Sequence, residues 1–150
     1  MAALMAVSCN KKNVDTKTPV GDEFDDTYIS LKYDANGGAD TIMHNYEQPT
    51  LYMIWKNDSI QLFNKPITAE TDSIVHKKGI KTAPRDYDPL IGYTFVEWDW
   101  ISVELQGQMV LIKVKPNTEG TERTAKISVP NNKVEAVQRR IEIKISQTAE

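Results

Sequence analysis

The last third of the chain carries four segments that decide the fold: 98–103 (WDWISV), 110–114 (VLIKV), 123–129 (RTAKISV) and 141–147 (IEIKISQ). Apolar and polar residues alternate along the last three, so that Ile127 and Ile143 face one side while Lys126 and Lys144 face the other. One-sided alternation is typical of an antiparallel sheet with one face on a core and one face in water. We therefore predict that Ile127 and Ile143 are core residues of a β-sheet protein.

Earlier segments extend the same pattern toward the N-terminus. Residues 28–33 alternate, and Asn36-Gly37 then supplies the residues of a tight turn. Residues 50–55 (TLYMIW) are apolar on both faces, as in a central strand, which places Trp55 in the core. No stretch sustains helical spacing between caps, so no helix is expected. The chain is thus predicted to be all-β, an immunoglobulin-like antiparallel β-sandwich, with a small antiparallel β-barrel as the alternative.

Residues 64–92 interrupt the strand pattern. They contain Pro66, Pro84 and Pro89, and only residues 73–75 have the composition of a short strand. A stretch of this length without regular structure is uncommon in a compact domain and is often functional when it occurs. We predict a long inserted excursion on the sandwich, with one short edge strand at most.

Charge and residue types exclude several classes of function. Of the net charge of −3, residues 1–75 contribute −5 (six Lys against eleven acids) and residues 76–150 contribute +2 (twelve Lys/Arg against ten acids). Neither half has the dense basic surface that phosphate binding needs, so no nucleic-acid partner is expected. No nucleophile motif is recognisable. His44 and His76 lie far apart and are expected to be ordinary, partly exposed histidines. The protein is predicted not to be an enzyme and to hold neither metal nor cofactor.

The N-terminus indicates a membrane anchor. Residues 1–8 are small and apolar, Cys9 is the only cysteine, and a polar segment follows. This pattern is typical of a lipoprotein signal peptide that ends at the cysteine receiving the lipid. Because no Lys or Arg precedes the apolar run, we expect a basic segment upstream of Met1. Residues 10–26 then form a flexible tether, with a mean reach of about 20–25 Å, before a domain at residues 27–148.

A set of spaced residues resembles the BACON family (Bacteroidetes-associated carbohydrate-binding, often N-terminal) over roughly residues 27–148. The match is carried by Leu31-x-Tyr33-x-Ala35-x-Gly37-Gly38, Trp100-Ile101-x-Val103, Asn117-Thr118, Arg123, Ile127-x-Val129 and Ile143-x-Ile145-x-Gln147. The resemblance implies an immunoglobulin-like sandwich whose last strand closes with Gln147. It also implies that Trp100 packs inside the sandwich, and that residues 64–92 are extra to the family's usual length.

Three aromatic residues near the excursion are candidates for a glycan site. Trp98 lies two residues from Trp100, on the same face of a regular strand, and is either half-buried packing or a stacking platform. Tyr87 and Tyr93 flank the excursion and either join Trp98 in the site or pack down onto the domain. Arg123 is expected at a sheet edge or paired with Glu119 or Glu122, in a structural role. Asn117 is expected to cap the turn that follows its strand.

These observations predict a non-enzymatic outer-membrane lipoprotein, anchored through Cys9, that binds polysaccharide or mucin-type glycan through aromatics at one end of the sandwich. The alternative is a structural or protein–protein interaction module of an envelope complex, without a glycan ligand. The glycan hypothesis requires two exposed aromatics on one surface. The alternative predicts an apolar patch or a bare strand edge without an exposed tryptophan. The periplasmic and outer faces both remain open, and Lys11 and Lys12 favour the periplasmic one.

Overall fold

The structure, a computed structural model, describes residues 26–57, 59–63, 68–84, 92–131 and 139–150. Cys9, Tyr87 and almost all of the predicted tether lie outside these ranges. The described residues contain ten strands and one helix: β1 Thr27–Tyr33, β2 Gly38–Met43, β3 Met53–Lys56, β4 Ser59–Leu62, α1 Ala69–Lys77, β5 Lys81–Pro84, β6 Tyr93–Trp98, β7 Ile101–Gln106, β8 Met109–Val114, β9 Arg123–Pro130 and β10 Arg140–Gln147.

The described strands form two five-stranded sheets, the first in the order β1-β10-β9-β3-β4 and the second in the order β2-β8-β7-β6-β5. This arrangement confirms the predicted all-β sandwich, and the barrel alternative is wrong because each sheet keeps two free edges. One pairing departs from the antiparallel prediction, since β1 runs parallel to β10. The turn after β1 then carries the chain to β2 at the edge of the other sheet instead of closing a hairpin within one sheet.

The predicted alternation places the core correctly. Ile127 and Ile143 are fully buried and lie opposite each other in the β9–β10 pair. Trp100 is also buried, as the family resemblance implied. The inward residues of both sheets make one hydrophobic cluster between the layers, which also includes Ile54, Val96 and other strand residues. The apolar contacts between the sheets therefore come from the strand periodicity that the sequence shows.

Trp55 is not a core residue, and the prediction that placed it there is wrong. Its side chain is 45% exposed on the outer face of the first sheet, while its neighbour Ile54 is completely buried. β3 pairs with the edge strand β4 on one side, and Trp55 lies directly opposite Ile60, which is also exposed. The strand is therefore apolar on both faces without both faces being covered.

Residues 69–77 form a helix, so the predictions of no helix and of a short strand at 73–75 are also wrong. Thr68 caps its start by accepting a 3.1 Å hydrogen bond from the backbone N–H of Thr71. At its end, the N–H of Gly79 bonds to the carbonyl of His76, and the N–H of Ile80 bonds to the carbonyl of Val75. This pair of bonds is a Schellman motif, and Gly79 has the positive φ that the motif requires.

The helix joins the edge strand β4 of the first sheet to the edge strand β5 of the second. Val75 and Ile80 are buried in the core cluster. The Nζ of Lys78 donates a 3.0 Å hydrogen bond to Oε1 of Gln61 in β4. The described part of the predicted excursion is therefore integral to the sandwich and supplies it with an edge strand.

Gly37 provides a test of the turn that moves the chain between the sheets. Its φ is +76°, and a Cβ at this position would lie 2.2 Å from the backbone oxygen of Val114. Gly37→Ala therefore adds a backbone clash to the cost of about 1–2 kcal/mol for a left-handed residue. We expect a loss of at least about 3 kcal/mol of unfolding free energy, measured by urea denaturation.

Gly107→Ala is the matched control. Its φ is +56°, but nothing lies within 4 Å of the added Cβ, so only the conformational cost of about 1–2 kcal/mol applies. Equal losses in the two variants would show that the contact with Val114 does not constrain the turn.

Candidate functional site

Tyr93 cannot take part in a ligand site, and its prediction as a binding residue is wrong. It is completely buried, and its ring meets the ring of Phe63 edge to face with a centroid distance of 5.5 Å. The cause is an irregularity in the β5–β6 register, in which Ala83 pairs with Phe95 but Pro84 pairs with Tyr93. The extra residue in β6 turns the Tyr93 side chain to the inside. The sequence contains no clear signal for this bulge.

Trp98 and Trp100 do not share a strand face. β6 ends at Trp98 and β7 begins at Ile101, and these two residues pair across a hairpin whose turn is Asp99-Trp100. Asp99 has a φ of 61°, a left-handed conformation that Asp tolerates better than most residues. The tight turn lets Trp100 enter the core while Trp98 stays at the end of the strand.

Trp98 is half-buried and packs against the core cluster. The ammonium of Lys56 lies 4.5 Å from the centroid of its ring, in a cation–π contact, and also bonds to Asp99 at 2.5 Å. The lysine comes from the first sheet and the tryptophan from the second, so the contact closes one end of the sandwich. With the core and the ammonium against it, the Trp98 ring offers little surface on which a sugar could stack.

At the same end, Arg123 and Gln147 form a buried polar cluster. The guanidinium donates to Oε1 of Gln147 at 2.9 Å and to the backbone carbonyl of Pro116 at 2.9 Å. The amide nitrogen of Gln147 donates to the carbonyls of Lys115 and Asp34, at 2.9 and 3.1 Å. The two side chains thus hold the turn after β1 and the segment after β8 against the ends of β9 and β10.

The residues that carry the family resemblance are structural in this protein. Arg123 is buried and not at a sheet edge, but the predicted alternative, a pair with Glu119, is present; its guanidinium also lies 4.9 Å from the ring of Trp100. Its nearest approach to Glu119 is 4.0 Å. Asn117 caps the turn after β8 as predicted, because its side-chain oxygen accepts from the N–H of Glu119 at 3.2 Å. This signature therefore specifies how the end of the sandwich is closed.

Gln147→Leu tests this cluster. It removes the acceptor of two Arg123 N–H groups and the donor to at least two carbonyls while the charged guanidinium stays buried. We expect a loss of about 3 kcal/mol of unfolding free energy, because unpaired buried polar groups carry their full desolvation cost. Urea denaturation measures the change.

Glu119→Gln is the control for this experiment, because it changes the exposed, 4.0 Å partner of the same guanidinium. It should cost less than about 1 kcal/mol. If Gln147→Leu costs no more than this control, the buried cluster does not hold the end of the sandwich together.

Glu97 forms a second polar group near Trp98, on the outer face of the second sheet. Its carboxylate lies 2.9 Å from Nζ of Lys81 and 3.9 Å from Nζ of Lys115. The hydrogen bond from Lys81 is the main cause that lowers the pKa of Glu97 from its ordinary value of 4.5; burial opposes it, and the positive charges of Lys81 and Lys115 lower the pKa further. The group is an ion pair at the surface that supports the β5–β6 pairing.

The pKa of Glu97 gives a pH prediction. Because the folded pKa lies below the unfolded one, the pair stabilises the fold fully above about pH 4.5 and loses this effect as the pH falls through the folded pKa. Glu97→Gln should therefore lower the unfolding free energy at pH 7, by no more than about 1 kcal/mol for a surface pair, and by less at pH 3. An equal difference at both pH values contradicts this account.

The outer face of the first sheet was not identified as a site from the sequence. Two neighbouring cross-strand rows define what we call the basic face: Ile60, Trp55, Lys126, Lys144 and Ser30 in one row, and Thr124, Ser146 and Lys32 in the next. Trp55 is 45% exposed and Ile60 is 53% exposed, and Lys144 and Lys32 are also exposed. The face therefore combines an accessible indole with three lysines and three hydroxyl side chains.

The charges of the basic face are unbalanced. Its two rows contain three lysines and no acid, whereas the whole chain has a net charge of −3. Glu142, in the row with Tyr28 on the other side of the Lys126 row, bonds to Lys126 at 2.8 Å. Lys144 and Lys32 have no ion pair among the described residues. The face is thus a positive area on an acidic protein.

Other chemistry is limited among the described residues. His44 is completely buried, contrary to the prediction, and its Nδ1 accepts from the N–H of Tyr46 at 3.1 Å, whereas His76 is exposed. Within the described ranges, no group of three or more His, Cys, Asp or Glu side chains could hold a metal ion. In the same ranges, no helix has the length and apolar character needed to cross a membrane.

No protein-family model matches the sequence, and no curated protein matches it. Among solved structures, the chain is similar to the NMR structure of a protein from Bacteroides thetaiotaomicron, with a TM-score of 0.56 and 15% sequence identity. The similarity covers 89% of this chain and 85% of that one. At this identity the likeness shows the shared fold alone.

Proposed function

We propose that the protein is a non-enzymatic β-sandwich domain of the bacterial cell envelope that binds glycan. Two sequence patterns support the proposal, namely the lipoprotein-like segment ending at Cys9 and the BACON resemblance over residues 27–148. In this proposal the lipid on Cys9 anchors the domain to the outer membrane, and the polar segment that follows holds it clear of the surface.

The observation that carries the glycan proposal is the exposed indole of Trp55. The C–H groups on one face of a pyranose ring pack well against the flat face of an aromatic ring. Trp55 offers such a face on a rigid sheet, beside the hydroxyl and ammonium groups of the basic face. Trp98 is less suitable, since Lys56 covers its ring. We therefore place the binding surface on the first sheet instead of at the loop end.

A second exposed aromatic lies on the same sheet face. Tyr28 in β1 is 73% exposed and is on the same side of its strand as Ser30. Three strand spacings of about 4.8 Å separate β1 from β3, and Tyr28 lies two residues along the strands from the row that contains Trp55, so the two residues are roughly 16 Å apart. The pair meets the requirement for two accessible aromatics on one surface, and an extended glycan chain can contact both.

The alternative function, a protein–protein interaction module, has some support from the outer face of the second sheet. Phe95, Leu111, Met109 and Met43 lie on the outer face of the second sheet, where they are half-buried. Apolar side chains on an uncovered sheet face are typical of protein contact surfaces. The exposed tryptophan on the first sheet nevertheless favours the glycan function, because the interaction hypothesis predicts none.

The test uses Trp55→Ala and a panel of neutral and acidic plant and host polysaccharides. For glycans that bind the unmodified chain, Trp55→Ala should weaken binding about tenfold, a loss of roughly 1.4 kcal/mol of stacking energy. Titration calorimetry gives the affinity, and bound glycan should also protect the indole fluorescence from acrylamide quenching. Trp98→Phe is the control and should leave the affinity unchanged.

Two outcomes would oppose this proposal in different ways. If Trp98→Phe weakens binding while Trp55→Ala does not, the loop-end site is correct and the sheet-face site is wrong. If no polysaccharide of the panel binds and none protects a tryptophan, the interaction module becomes the better account.

A further inference from the structure

We infer that the basic face selects acidic glycans, with carboxylate or sulfate groups, over neutral ones. The inference rests on the proposed glycan function and adds the chemical class of the ligand. It depends on a feature that only strand pairing creates, because the three lysines of the face come from β1, β9 and β10.

The geometry matches an extended chain lying across the strands. Trp55, Lys126 and Lys144 are direct neighbours in three adjacent strands. With strands about 4.8 Å apart, they lie on a line roughly 10 Å long. A sugar ring stacked on Trp55 would place the acidic groups of the following sugar units above the two ammonium groups.

The charges favour an anion at the far end of this line. Lys126 already has a carboxylate partner in Glu142, at 2.8 Å. Lys144 and Lys32 lie beyond it, exposed and without an ion pair in the described part of the chain. An ammonium group binds a carboxylate or sulfate through charge-assisted hydrogen bonds, which are stronger than those to a neutral hydroxyl. Lys144 and Lys32 are therefore the residues expected to distinguish acidic from neutral chains.

The composition of the face favours a glycan over an anionic membrane surface. Ser30, Thr124 and Ser146 lie among the lysines and offer hydrogen bonds to sugar hydroxyls. The strength of membrane binding by a protein surface depends on the apolar area that enters the headgroup region as well as on attraction to anionic lipids. Here the apolar side chains Trp55 and Ile60 are confined to one end of the row. A mostly polar surface suits a polysaccharide better.

The experiment compares two acidic polysaccharides with a neutral one. The full chain is titrated with polygalacturonate, with chondroitin sulfate and with fully methyl-esterified polygalacturonate, which keeps the sugar backbone but loses the charge. At least one acidic chain should bind more tightly than the neutral ester, and its affinity should fall with added salt. Lys144→Gln and Lys32→Gln should each weaken acidic binding about threefold without affecting the neutral ester.

Lys113→Gln is the matched control, because Lys113 is an exposed lysine on the outer face of the second sheet. It changes the net charge by the same amount as Lys144→Gln and should leave every affinity unchanged. Lys32, Lys144 and Lys113 are all exposed, so the three variants should unfold at the same temperature as the unmodified chain.

The outcomes separate this inference from the proposed function. If acidic and ester chains bind equally and the lysine variants have no effect, selection of acidic glycans is wrong while glycan binding stands. If no polysaccharide binds, and vesicles of phosphatidylcholine with phosphatidylglycerol bind in a Lys144-dependent manner, the face docks on anionic lipid and both proposals fail. If Lys113→Gln weakens acidic binding as much as Lys144→Gln does, the preference for acidic glycans depends on the net charge of the protein alone. The basic face would then not be the binding surface.

Discussion

The buried contact between Arg123 and Gln147 is the constraint on which the end of the sandwich depends. A guanidinium removed from water must find acceptors, and here it finds the Gln147 oxygen and backbone carbonyls. The Gln147 amide in turn satisfies carbonyls of the turn after β1. Because that turn sends the chain from one sheet to the other, the cluster fixes how the two layers join. Trp100 packs against the same guanidinium and seals it from solvent.

The residues that stabilise the end of the sandwich and the residues that are accessible to a ligand lie in different parts of the molecule. The residues that resemble a known family, among them Trp100, Asn117, Arg123 and Gln147, are buried and engaged with one another or with backbone. The accessible chemistry lies elsewhere, on the outer face of the first sheet. There the side chains have few structural partners, and an indole, hydroxyls and ammonium groups face solvent together. A closed end and a surface built on paired strands suit the proposed binding role, because the surface is formed before a ligand arrives.

The errors of the sequence predictions have identifiable physical causes. Trp55 was placed in the core because its strand is apolar on both faces, but coverage of a face depends on which elements pack there. The helix at 69–77 was missed because its nine residues bury mainly Val75, although the Thr68 cap and Gly79 were readable signals. Tyr93 was a candidate because it flanks the excursion, and no distinctive residue signals the bulge in β6 that turns its side chain inward. Of the predicted site residues, Tyr93 was therefore wrong, Tyr87 lies outside the described residues and Trp98 stays a prediction, while the β-sandwich was right.

The sequence by itself determined the all-β class and the inward residues of the final strands. These follow from period-two alternation and from local turn chemistry, which act between residues close along the chain. Only the tertiary structure decided where the charges meet. Lys32 lies more than ninety residues from Lys126 and Lys144. When charge is summed over each half of the chain, the acidic residues elsewhere in that half offset the charge of these lysines and conceal the basic face. Parallel pairing of β1 with β10, and antiparallel pairing of β10 with β9, bring the three lysines onto one face. Local sequence patterns do not contain this information, because the register between strands is set by residues far apart along the chain.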